Sequence, residues 1–251
     1  MLRHLLPLML LAGALAGELP ILRTTAQEDA RPRYLPLAPG QSMAGGYCAE
    51  VLLALNQIDP GLRFSGLEQT MPVNRMLALL QSGQLDIFAC LSKTPEREAT
   101  IRFLEPPILE LHNRLAVRAD DPIQIRNLDE LRALGKDGVI LVNRGSGSAM
   151  WLQSQPGLHI DGSGYDQPDN LKKLLAGMGR FYFRHDFGLQ AEIAALKLQQ
   201  RVRILPIVLN TQQQYLAIQR GLPLETQRRI EAALQQLHLS GELARLRARY
   251  P

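Results

Sequence analysis

Residues 76–86 read Met-Leu-Ala-Leu-Leu-Gln-Ser-Gly-Gln-Leu-Asp, and residues 90–97 read Cys-Leu-Ser-Lys-Thr-Pro-Glu-Arg. The apolar positions around the first run recur at helical spacing, which predicts a helix over Val73–Ser82. Gly83 follows where a helix carboxyl end favours a residue tolerant of positive φ, so it closes that helix. Leu85–Leu91 then reads as a buried strand that delivers Ser92, Thr94 and Arg97 to the loop beyond its end.

The same alternation continues on both sides of this unit. Upstream, Leu19–Thr25 reads as a strand, and Tyr47–Ile58 as a helix with Val51, Leu52, Leu55 and Ile58 on one face. Leu62–Leu67 reads as a second strand. Downstream the pattern restarts, with helices at Asn127–Leu134, Ser148–Gln153 and Asn170–Ala176 and strands at Val139–Asn143 and Arg180–Arg184. Gly188–Gln200 is predicted helical and Val202–Val208 extended. The chain closes with helices Leu224–Leu237 and Gly241–Arg249, the first carrying Ile230, Leu234 and Leu237 as one apolar stripe. Strands alternating with helices over the whole length imply an α/β architecture, and the restart implies a second lobe.

The amino end is organised differently. Arg3 and His4 precede an apolar run, Leu5–Ala12, broken by Pro7 and followed by Ala14-Leu15-Ala16. That is the three-part pattern of a secretory signal peptide over residues 1–16, cleaved after Ala16. The apolar run falls short of the roughly 20 residues that span a bilayer, and no cysteine follows it to carry a lipid. An exported, periplasmic protein is expected. A composition of 46% hydrophobic and 21% charged residues suits a globular chain. The net charge of +4 is scattered and aromatic residues make up 5%, unlike the concentrated basic face of a nucleic-acid binder. Cys48 and Cys90 are either a disulfide or two thiols, because bonding requires α-carbons within about 7 Å. The spacings of a zinc site do not occur, so no metal and no cofactor is expected.

Several segments together resemble the bacterial extracellular solute-binding proteins of family 3, which bind polar amino acids for ABC importers. Residues 76–86 with 90–97 resemble its helix, Ser-Gly turn, Asp-bearing strand and Thr-x-x-Arg loop. Arg144-Gly145-Ser146-Gly147-Ser148 resembles its second-lobe glycine turn, Arg184-His185-Asp186 the strand end with its amine-binding Asp, and residues 237–243 its final helix-Ser-Gly-helix. The resemblance implies a two-lobed type II periplasmic-binding fold, each lobe a mixed sheet flanked by helices. Residues 17–118 and 208–251 would form the first lobe and 119–207 the second, with crossings near Leu115–Asp121 and Pro206–Leu209. The ligand would lie between them, at the carboxyl ends of strands.

Carried over residue by residue, the resemblance makes Arg97 the clamp for a ligand carboxylate, through two parallel charge-assisted hydrogen bonds. Taken by itself, Arg97 also reads as a surface partner of Glu96 or Glu98, worth about 0–1 kcal/mol. Ser92 and Thr94 would add a hydroxyl and amides, or be ordinary turn residues. Gly145, Ser146 and Gly147 would present amides and a hydroxyl to an anion, with Ser148 as the alternative helix cap. Asp186 would receive a ligand ammonium, or pair with Arg184; His185 would reach the ligand side chain and make binding pH-sensitive. Three segments depart from the family pattern. Arg31-Pro32-Arg33-Tyr34-Leu35-Pro36 stands where an aromatic covers the ligand, a part assigned to Tyr34. Val73 replaces a Trp after Pro72, and Cys90 a usual Gly. The expected protein is a monomeric binder of a small polar ligand, an amino acid first, acting with a permease or a membrane receptor. An enzyme using Glu68, Glu105, Glu110 or Asp186 as acid or base is the competing reading.

Overall fold

The computed structural model describes residues 21–28, 30–164 and 167–250, and the expected signal peptide lies outside the described residues. In chain order the first part comprises β1 (Leu22–Arg23), β2 (Ala26–Gln27), α1 (Tyr47–Ile58), β3 (Phe64–Ser65), β4 (Thr70–Met71), α2 (Val73–Gln81), β5 (Ile87–Ser92), α3 (Pro95–Glu98) and β6 (Arg102–Arg118). The middle comprises α4 (Leu128–Ala133), β7 (Ile140–Leu141), α5 (Gly147–Gln153), β8 (Ile160–Asp161), α6 (Gln167–Leu175), β9 (Phe181–His185) and α7 (Asp186–Ala195). The chain then returns through β10 (Val202–Ile204), β11 (Asn210–Ile218), α8 (Leu224–Leu239) and α9 (Glu242–Ala248).

The main sheet runs β5-β11-β6-β9-β7-β8, with β10 on β6; β1 pairs β3 and β2 pairs β4, both parallel. β6 joins its two halves. It lies antiparallel to β11 from Arg102 opposite Ile218 to Asn113 opposite Asn210, with residues 105–108 outside the register. Beyond Asn113 the same strand pairs β9, and then β10. Most of β6 escapes a reading of the sequence because Pro106 and Pro107 interrupt it, and prolines inside a run argue against a strand.

Core membership follows this switch. Leu111 packs with α1, β5 and α8, whereas Leu115 packs with Val142, Leu152 and Phe183. A third cluster, of Leu171, Leu174, Tyr182 and Leu189, covers the other face of the second half. Two lobes result, each a sheet covered by helices. α7 differs from its prediction: it begins two residues earlier and ends at Ala195, and Lys197 just beyond adopts φ 56°. Its Phe187 crosses to the first core and meets Tyr47 edge-on at 6.2 Å.

Cys48 in the first turn of α1 and Cys90 in β5 form a disulfide, with α-carbons 5.9 Å apart and a sequence separation of 42. Closing a loop of that length restricts the unfolded chain by about 3–4 kcal/mol. Cys90 also holds φ 64°, a backbone conformation natural to glycine. C48A/C90A is expected to lose about 3–4 kcal/mol of unfolding free energy. C48A/C90G should lose about 1 kcal/mol less, since glycine relieves the left-handed conformation at position 90. Denaturant titration of both variants under oxidising conditions checks the difference.

Candidate functional site

β5 ends at Ser92 facing the first residue of α5, and the gap between the lobes at this level is a cavity of about 320 Å³. That is the small end of the range for ligand pockets, about 300–1,000 Å³. Leu91, Leu111 and Phe183 give it apolar wall. Ser92, Asn74, Asn143, Ser146, Gln212 and Gln214 give it neutral polar groups. Arg33, Arg97, Arg144 and Arg184 give it charge.

Arg97 lies in α3, whose first turn is capped by the Thr94 side chain accepting from the Arg97 N–H at 3.4 Å. Arg97 is 5% exposed. It donates to the Ser92 carbonyl at 2.8 Å and across the gap to the Gly145 carbonyl at 3.2 Å. Burial brings its pKa down to about 10, against a rise from Glu96, so it stays protonated at neutral pH. Arg33 reaches the cavity because α1 holds its loop: Tyr47 N–H donates to the Pro32 carbonyl at 3.2 Å and Cys48 N–H to the Arg33 carbonyl at 2.9 Å. Its Nη1 donates to the Cys90 carbonyl at 3.2 Å and meets the amide oxygen of Gln214 at 3.5 Å, while its buried Nε has no hydrogen-bond partner. Burial, then the positive charges of Arg184 and Arg97, lower its pKa to about 10. Arg184, in β9, is backed by Glu192 of α7 at 3.6 Å.

Five of the nine residues predicted from sequence line this cavity: Arg97, Ser92, Ser146, Gly147 and His185. Gly145 joins them through its carbonyl on Arg97. Ser146, not Ser148, caps α5, accepting from Ala149 N–H at 3.1 Å, because the helix starts at Gly147; Ser148 instead donates to Asn113 at 2.7 Å. Three expectations are corrected. Thr94 is occupied as the α3 cap and is not among the cavity-lining residues. Tyr34 is 2% exposed, its ring near Phe88 and its hydroxyl donating to the Ala89 carbonyl at 2.9 Å, so it covers no ligand. Asp186 is the first residue of α7 and faces His112 and Arg114 of β6, at 3.5 and 3.7 Å, outside the cavity lining. His185 caps α7, its Nδ1 accepting from Gly188 N–H at 3.0 Å. Burial, then Arg184 and Arg33, push its pKa well below 6.5, so it is neutral where it was expected to titrate.

Sequence reading chose Tyr34 where its neighbour Arg33 faces the site, and used Arg184 only as a partner for Asp186. The Arg-Pro-Arg at residues 31–33 was the available signal for the first. The carboxylate on the cavity wall is that of Glu28, which is exposed. Among the described residues no three His, Cys, Asp or Glu side chains gather as a metal site, and no helix is long and apolar enough to cross a membrane.

The profile of the bacterial extracellular solute-binding proteins, family 3, matches residues 56–251. The chain belongs to this family. No curated protein sequence matches it closely enough to serve as a relative. Solved structures agree on the fold. The substrate-binding protein of an amino acid ABC transporter superposes with a TM-score of 0.74 at 18% identity, over 92% of this chain and 99% of that one. A histidine kinase sensor domain with similarity to periplasmic binding proteins reaches 0.77 at 20% identity, over 93% and 96%. An ancestral amino acid-binding protein, precursor of cyclohexadienyl dehydratase, reaches 0.72 at 20% identity, over 92% and 95%. At these identities the likeness establishes the type II periplasmic-binding fold of a family 3 protein.

In this family member the lobes touch where glycine permits it. A Cβ on Gly147 would lie 2.6 Å from the Ser92 hydroxyl and 2.7 Å from its Cβ, and one on Gly145 would lie 2.6 Å from the Asn74 amide oxygen. Gly147→Ala is therefore expected to weaken ligand binding at least tenfold, measured by calorimetry. The same variant without ligand should stay within about 1 kcal/mol of the natural stability. His185 supplies a pH test. Its folded pKa is depressed, so below pH 6.5 the unfolded chain binds the extra proton, and stability falls as pH drops through that value. His185→Asn, which retains a capping side chain, should flatten denaturation midpoints between about pH 7 and 5.

Proposed function

We propose that this protein is an exported, periplasmic solute-binding protein that captures a small polar acid between its two lobes and presents the closed form to a membrane partner, a permease or a receptor. Amino acids are among the acids to be tested. The change of lobe falls within β6 near Asn113, since Leu115 and Val117 pack in the second core, and the return falls near Leu209, which packs there too. β6 and β11 are the strands that connect the lobes.

The observation that carries this reading is the position of Arg97. Its guanidinium is rooted in the first lobe and donates into a loop of the second at 3.2 Å, at the edge of the cavity. A carboxylate held there is shared by both lobes, so its binding energy falls on the closed state alone, and that difference is what lets a ligand drive closure. Ser92 adds to the same corner. Its hydroxyl accepts from Gln214 at 2.7 Å, which orients the Gln214 amide along the cavity floor. The cavity-lining carboxylate, Glu28, is exposed, and the Nδ1 of His185 is taken up by its helix cap.

A thermal-shift screen against small organic acids and amino acids tests the proposal. A ligand at 100 times its dissociation constant adds about 2.7 kcal/mol of stability. Arg97→Ala should lower the affinity for any ligand so found at least tenfold, about 1.4 kcal/mol, with the melting of the ligand-free protein close to natural. Unchanged affinity in the variant removes Arg97 from the site.

A further inference from the structure

We infer that Asn143 and His185 face the ligand as hydrogen-bond donors, and that the ligand is a small α-keto acid whose keto oxygen they receive, in preference to the matching amino acid. This rests on the binding-protein reading above and narrows its ligand class. β7 and β9 are parallel neighbours, with Leu141 opposite Tyr182. Asn143 and His185 therefore leave adjoining strands at the same carboxyl end, and both line the cavity.

An amide and an imidazole can each donate or accept, and here the neighbours settle which. A guanidinium only donates, so the Tyr182 hydroxyl accepts from Arg184 at 3.2 Å and gives its own hydrogen to the Asn143 side-chain oxygen at 2.9 Å. Asn170 donates to the same oxygen at 2.7 Å. The amide is thus held with Nδ2 as its open end, and Nδ2 makes no hydrogen bond among the described residues and is not sealed in the core. His185 is fixed in the same sense. Its Nδ1 accepts from Gly188 N–H at 3.0 Å, and burial, then the charges of Arg184 and Arg33, keep the ring neutral. A neutral imidazole that accepts at one nitrogen carries its hydrogen on the other. That Nε2–H also has no hydrogen-bond partner among the described residues. An ammonium group set against these two side chains meets N–H groups without lone pairs, whereas a keto oxygen accepts from both. Asp186, the carboxylate expected to receive an ammonium, is turned to His112 and Arg114. Across the gap, the Ser92 hydroxyl accepts from Gln214 at 2.7 Å, which leaves it a hydrogen to donate as well.

Calorimetric titration with matched pairs tests this: pyruvate and L-alanine, α-ketobutyrate and L-α-aminobutyrate, α-ketoisovalerate and L-valine, α-ketoglutarate and L-glutamate. Each pair shares a skeleton and differs only at the α-carbon. At least one keto acid should bind ten or more times tighter than its amino acid, as a site built of donors rejects an analogue that cannot accept. Asn143→Asp keeps an oxygen for Tyr182 and Asn170 and puts an acceptor where Nδ2 stood, so it should cancel or reverse the preference. His185→Asn, which keeps a capping side chain and removes the Nε2–H, should reduce it, with ligand-free melting confirming that both variants fold. The ratio within a pair is the readout, because general damage to the site lowers both affinities together. An amino acid that binds as tightly as its keto acid overturns the inference while leaving a binding protein. Binding by no compound of the four pairs overturns the inference, and overturns the binding-protein reading too if the wider acid screen is blank. A preference untouched by Asn143→Asp overturns the assignment of the keto oxygen to Asn143, and one untouched by His185→Asn its assignment to His185.

Discussion

The antiparallel ladder between β6 and β11 is the constraint on which the rest of the molecule depends. One strand of 17 residues serves both cores, giving Leu104, Ile108 and Leu111 to the first and Leu115 and Val117 to the second. Its backbone pairs with β11 on either side of residues 105–108 and then with β9 and β10, so the passage between the lobes near Asn113 is made by hydrogen-bonded strand. Movement of one lobe against the other has to bend this ladder. The register of β11 shifts between Gln214 and Leu216, and such irregularities re-aim side chains near functional sites. Here the consequence is visible: Gln214 is 1% exposed, with its amide between Ser92 and Arg33.

Electrostatics at the cavity follow from how its arginines are held. A buried cation is tolerable when its donors are satisfied, and the choice of acceptor decides what remains of its field. Arg184 faces a carboxylate, Glu192, which offsets its charge. Arg97 and Arg33 face carbonyl and amide oxygens, which satisfy hydrogen bonds but leave the charge whole. Desolvation lowers both to about 10 without removing their protons at neutral pH. An anion placed between the lobes would relieve the mutual repulsion of these groups.

Local order and cleft geometry are joined in β5 and α5. The disulfide secures the first turn of α1 to β5 at Cys90, and the α1 amides hold the carbonyls of Pro32 and Arg33. The position of Arg33 thus depends on an element that never touches the cavity. On the opposite side, Gly147 lets the end of α5 rest against Ser92, and a single methyl group there would hold the lobes apart.

The sequence by itself determined the α/β class, nearly every helix and the two-lobed plan, because amphipathic periodicity and glycine stops are local signals, and it singled out Arg97, which the fold places on the cavity wall. α1 spans the predicted residues, and α2 and α8 differ by one or two at an end. It missed the length of β6, where Pro106 and Pro107 break the pattern and pairing with β11 holds the strand on either side of them. It also left the state of Cys48 and Cys90 open and misassigned Tyr34, Thr94 and Asp186. Tertiary structure decided these, since which of two neighbouring side chains faces a cavity depends on how the backbone is turned by contacts far along the chain. Arg33 and Tyr34 are adjacent, yet α1 and β5 send one to the cavity between the lobes and the other to the core.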